Sequence, residues 1–161
     1  MPTEYKYPEA KAIVSWWKES VRCSIVLTNH GHYCGYARFP VHPVTESGYH
    51  GILTYVPVHG GITYARADKD GTMVYGFDCA HADDDNNPNI RDIEWLKAEC
   101  RRMVGAILAA AAIEVDYLTA PDNARKATVI NSYHEVCKEH GCVFGLPNNL
   151  GALINVMAGE L

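Results

Sequence analysis

Three stretches of apolar spacing follow one another along the chain, helical, strand-like and helical again. Ile13, Val14, Trp17 and Val21 recur at helical intervals, which predicts a first helix opening at Pro8, a residue suited to a first helical turn. From Cys23 the pattern shortens. Residues 24–28 read as a strand, Asn29-His30-Gly31-His32 as a turn, and 33–39 as the returning strand, ended by Pro40. After a loop rich in Pro, Gly and Ser, a third strand is expected over 53–58, leading into His59-Gly60-Gly61. Segments 62–66 and 72–78 then flank Asp70-Gly71, a strong hairpin signal.

Helical spacing returns in the last third. Asn87-Pro88 supplies a cap and a first-turn proline for a long helix whose seam is Ile93, Leu96, Cys100, Met103, Ile107 and Ala111. A further helix is expected over 122–140, stopped by Gly141, with Val129, Ile130, Tyr133, Val136 and Cys137 apolar. A short amphipathic piece over 150–157 follows. Hairpins in the N-terminal two-thirds and helices after them predict an α+β fold, an antiparallel sheet packed on C-terminal helices. With no repeats or linkers, 1–161 reads as a single domain.

A two-residue turn at Asp70-Gly71 pairs Lys69 with Thr72 and fixes a register. One face then carries Ile62, Tyr64, Tyr75, Phe77 and Cys79 and reads as core. The other carries His59, Gly61, Thr63 and Ala65 opposite Val74, Gly76, Asp78 and Ala80. Small residues leave room above that face, beside His59, Asp78 and His81, and the acidic run Asp83-Asp84-Asp85 follows. It reads as a pocket floor.

Composition narrows the chemistry. The net charge of −5 argues against binding a DNA or RNA duplex or an anionic membrane. Of eight histidines, six fall between His30 and His81. The six cysteines form no Cys-x-x-Cys pair, and the first residues lack a basic, apolar leader. Free thiols and a cytoplasmic location are therefore expected. The apolar run over 103–113 is shorter than the ~20 residues a bilayer needs.

Three chemistries suit the pocket floor. His59 and His81 can act as acid and base across a scissile bond, with Asp78 fixing a tautomer. Alternatively, His59, His81, Asp78 and an acid from Asp83 to Asp85, Asp83 first among them, can hold a divalent metal that activates water. Third, these groups and the Gly60-Gly61 amides can grip a phosphate. Tyr36 and Arg38 share a strand face from which to stack on a base and meet an anion. The turn sequence His30-x-His32-x-Cys34 reads as a plain loop, and Cys137-x-x-His140-x-Cys142 as part of a helix end. Cys79 points to the apolar face, where thiols are inert. Trp16 and Trp17 are adjacent, so one of them faces away from the core and suits a contact between subunits.

The segment Val58-His59-Gly60-Gly61-Ile62-Thr63, with Gly76-Phe77-Asp78-Cys79-Ala80-His81 and Asp83, resembles a largely uncharacterised family of small phage and bacterial proteins. Gly35-Tyr36 and His42-Pro43 share in the resemblance, which covers about the middle third of the chain. The phage association implies, by analogy, a protein acting on a host cyclic-nucleotide immune signal in the host cytoplasm. The expected function is a small hydrolase of phosphodiesterase type. His59, His81 and Asp78 form its catalytic set, and Gly60, Gly61, Thr63, Tyr36 and Arg38 bind an anionic nucleotide-like ligand. The alternative is a non-catalytic homo-oligomeric sponge that sequesters the same signal.

Overall fold

Side chains from Ala12 to Lys18 alternate between half-buried and exposed, the period of a strand and not of the expected helix. The computed structural model, which describes residues 8–45, 48, 51–139, 154, 157 and 158, places this segment as β1 (Ala12–Lys18) after a 3-10 turn over Pro8–Lys11. The β-branched Ile13 and Val14 and the two tryptophans suit a pleated surface. A two-residue turn, with Glu19 in the left-handed region, then pairs Lys18 with Val21. That turn carries no glycine, so the sequence holds no hairpin signal to set against the helical spacing.

β2 (Val21–Leu27) and β3 (Tyr33–Phe39) form the expected hairpin, joined through 28–32. β4 (Tyr64–Ala67) and β5 (Met73–Asp78) form a second one, and β5 docks on β3. The five strands lie in the order β1-β2-β3-β5-β4, and each pairing is antiparallel. The strand expected over 53–58 is not in this sheet. Gly51–Tyr55 is a 3-10 turn, and Val56 and Val58 donate their amides to Leu53 and Val56 nearby, so no strand partner is needed.

The β4–β5 register differs by one residue from the expected one. Asp68 donates its amide to Thr72, and Gly71 sits at φ +86°, so the loop holds three residues and closes with a left-handed glycine. Tyr64 therefore pairs with Gly76 instead of Phe77 and moves from the core face to the outer face, while Ala65 joins the core side. Asp70 pins the loop by accepting from the amide and hydroxyl of Thr72. That exposed carboxyl is held below the usual range, chiefly by the Thr72 hydroxyl.

The long helix α1 (Ile93–Leu118) covers the other face. Asp92 caps it by accepting from the amides of Glu94 and Trp95, and Asn87-Pro88 opens a separate 3-10 turn before it. Its seam residues Leu96, Cys100, Met103 and Ile107 are fully buried against Cys23, Ile25, Ala37, Tyr75 and Phe77. This is the α+β architecture expected, a sheet of hairpins on a C-terminal helix. α2 (Asn123–Glu139) follows, with the Asp122 carboxylate accepting from the Arg125 amide. Its apolar side chains, Gly141, Cys142 and most of 150–157 lie outside the described residues, although Ile154 is buried in the core. Among the described residues no helix is long and apolar enough to cross a membrane.

At Gly35 the core leaves no room for a side chain. A Cβ there would overlap the ring of Phe77, which is fully buried and has nowhere to go. Gly35→Ala is expected to destabilise by ~1–3 kcal/mol through overpacking. The check is a lower urea midpoint at constant slope; an unchanged midpoint would show that the core repacks around the methyl group.

Candidate functional site

Three segments meet where β5 ends and the chain turns toward α1. The first is the turn after Val58. Gly61 donates its amide to the Val58 carbonyl, with Gly60 and Gly61 both at positive φ, and the turn aims His59 at α1. The second begins past Asp78, whose carboxylate accepts from the Ala80 amide and ends the strand. His81 follows, and Asp84 opens a 3-10 turn over Asp84–Asn86. The third is the first two turns of α1. There Glu99 accepts the His59 amide at 2.9 Å, and Trp95 lies edge-on to the His59 ring at 5.4 Å between centroids.

Asp84 holds the centre. Its Oδ1 lies 2.8 Å from His59 Nε2, and its Oδ2 lies 2.8 Å from His81 Nδ1 and 2.9 Å from the His81 amide. Only 7% of its side chain is exposed, against 19% for His59 and 36% for His81. Burial pushes the Asp84 carboxyl up, but the His81 amide, the His81 ring and the His59 ring together pull it below the ordinary carboxylate range. An ionised carboxylate only accepts hydrogen bonds, so both rings present N–H to it. His59 then keeps Nδ1, and His81 keeps Nε2, for other work.

His81 Nε2 lies 3.8 Å from Asp78 Oδ1. Burial raises the Asp78 carboxyl, but the Thr63 hydroxyl, the Ala80 amide and the charges of His81 and His32 bring it below its ordinary value. Beside His81 opens a cleft of ≈ 240 Å³ lined by His30, His32, Tyr33, Asp85, Ile90 and Arg91 among others. The His30 and His32 rings stack 6.4 Å apart across the β2–β3 turn.

The structure thus brings together His59 and His81 as expected, but the carboxylate between them is Asp84, neither Asp78 nor Asp83. Their rings meet edge to face at 5.3 Å, which leaves no space for a scissile bond between them. Gly60 carries the His81 ring directly on its backbone, and the Gly61 amide is used within the turn. Thr63 serves Asp78. Tyr36 and Arg38 do not line the cleft, because the outer face is already filled. The Tyr36 ring lies over Gly76 and edge-on to Tyr64 at 5.4 Å, and burial pushes its phenol above the usual range. Arg38 is bound to Glu9, Asp68 and Thr72. Cys79 is buried in the core as expected, its thiol pushed up to about 12 by burial and by Asp84.

Trp95, Glu99 and Arg91 are the residues that sequence reasoning missed, whereas Asp84 is one of the three acids it offered and the His30/His32 turn borders the cleft. Trp95 and Glu99 are four apart, on one side of α1, a visible but unspecific signal. His59, His81 and Asp84 are the one group of metal-binding type among the described residues. Set beside family models, curated proteins and solved structures, the chain matches none of them.

Proposed function

We propose that the chain is a hydrolase that cleaves a phosphodiester in a nucleotide-type small molecule, at the cleft beside His81. The observation that carries this reading is the convergence of two imidazoles on one buried carboxylate, with His81 reaching the wall of a cleft that also holds His30, His32 and Arg91. The His59/Asp84/His81 cluster activates water. Arg91 and the turn histidines offer N–H donors to phosphate oxygens, with the Arg fork matched to two of them. Asp78 and Asp85 lie close by and repel a doubly charged monoester, so a singly charged diester suits the cleft better. Hydrolysis places the water's OH on phosphorus and its proton on the leaving oxygen, and needs no other co-reactant.

The resemblance to phage proteins suggests cyclic dinucleotides as the first substrates to try. Wild-type chain is expected to convert at least one member of a cyclic mono- and dinucleotide panel to linear product, read by chromatography and mass. His81→Ala should remove that turnover. Arg91→Ala should weaken substrate binding by about 10–100-fold, the worth of one charge-assisted hydrogen bond. Turnover unchanged in His81→Ala sinks the reading. Tight binding with every ligand recovered intact would replace it with sequestration.

A further inference from the structure

We propose that His59, His81 and Asp84 bind one divalent transition-metal ion of the Zn2+ type. This deepens the hydrolase reading by naming what activates the water. Ion binding is measured without substrate, however, so either reading can fail while the other stands.

The donor set is the first argument. One ligand atom from each residue lies within 4.8 Å of the others, and the two closest nitrogen–oxygen separations are 2.8 Å. Tetrahedral ligands at ~2.0–2.1 Å from an ion stand about 3.3 Å apart. The two short contacts use different oxygens of Asp84, so the ion needs each of them to open slightly and the longer separations of the trio, up to 4.8 Å, to close by rotation of the rings and the carboxylate. Two imidazoles with one carboxylate select Zn2+, Co2+ or Ni2+ over Ca2+ and Mg2+, which prefer all-oxygen shells. Three protein ligands leave a fourth position for water, the arrangement of catalytic rather than structural zinc.

The surroundings are the second argument. A histidine ligand usually donates its other ring N–H to a carboxylate, and Asp78 Oδ1 stands 3.8 Å from His81 Nε2. Asp78 is itself held by Thr63 and the Ala80 amide, and His59 is fixed through its own amide by Glu99. Asp84 is buried, and with neutral rings the trio carries one negative charge for a cation to meet.

Protons balance without an outside base. When the ion takes Nδ1 of His81, that ring's proton passes to Nε2, facing Asp78. His59 likewise changes from an Nε2–H to an Nδ1–H tautomer. A purely structural hydrogen-bonded cluster has no reason to make either change.

The test uses the full chain stripped with a chelator. Zn2+ is followed by calorimetry and Co2+ by its visible bands, with Trp95 fluorescence beside His59 as a third signal. One ion per chain is expected, and nitrogen NMR should show the His81 tautomer switch from Nδ1–H to Nε2–H. Asp84→Asn and His59→Gln should each weaken binding at this site by more than about 100-fold, and Asp78→Asn by about 10–100-fold. His30→Ala with His32→Ala should keep it. Circular dichroism confirms that each variant is folded, and His59→Gln serves if Asp84→Asn is not. No saturable binding in wild type, equal affinity in His59→Gln, or loss on changing His30 and His32 overturns the proposal.

Discussion

Gly60→Ala is expected to disable the site and leave the sheet folded. Gly60 stands at φ +68°, where a Cβ costs roughly 1–2 kcal/mol. The larger effect is positional. That Cβ would overlap the His81 ring at Cε1 and Nε2, and the ring is a side chain that can swing where backbone cannot. Swinging it breaks the Nδ1 bond to Asp84, so turnover and ion binding should both fall by more than ~100-fold, the scale of losing one charge-assisted contact at its upper end. Gly61→Ala is the matched control. Its φ of +78° imposes the same backbone strain, but nothing lies within 4 Å of its Cβ. Thermal melting should show the backbone strain in both variants and a further loss in Gly60→Ala from the broken Asp84 contact, and activity should separate them more sharply. Equal activity losses would mean that turn geometry, not the His81 contact, is what the site requires.

Asp84→Asn should cost the most stability of any single polar change, ~3 kcal/mol, because three donors share its carboxylate in a buried position. Asparagine keeps one acceptor oxygen and turns an NH2 toward a ring N–H. In a chain of this length the melting temperature should fall by about 6–12 °C. The pH dependence identifies the cause. The folded carboxyl titrates below its unfolded value, so its contribution is whole above about pH 4 and is lost as pH falls through the lower folded value. Measured by urea in the presence of chelator, the gap between wild type and Asp84→Asn should close as pH drops below about 4. A constant gap would assign the loss to packing.

The β2–β3 hairpin and the α1 seam are written locally, in alternation, turn residues and heptad-like spacing, and both are legible. β1 is not, because Ile13, Val14, Trp17 and Val21 satisfy a helix as well as a strand, and Glu19-Ser20 turns the chain without the Gly, Asn or Asp that marks a tight hairpin. His59 and His81 could be linked from the Asp70-Gly71 turn even though the true loop is one residue longer. Their carboxylate could not. Choosing Asp84 from three consecutive aspartates depends on a 3-10 turn that forms only where the chain leaves β5 for α1. Tyr36 and Arg38 share a face as expected, but that face is closed by Tyr64 and by Glu9, Asp68 and Thr72, contacts that no local pattern announces.

The anchoring of His59 to Glu99 and Trp95 has a thermodynamic consequence. The site draws on residues 59, 81–84 and 95–99, so it exists only once the second hairpin has docked under the first two turns of α1. Whatever binds there binds the folded chain and not the unfolded one. At a concentration of 100 times its dissociation constant, a ligand adds about 2.7 kcal/mol to the whole fold. The melting curve of the intact chain therefore reports on occupancy, and a panel of divalent ions and cyclic nucleotides can be ranked by it before any reaction is observed.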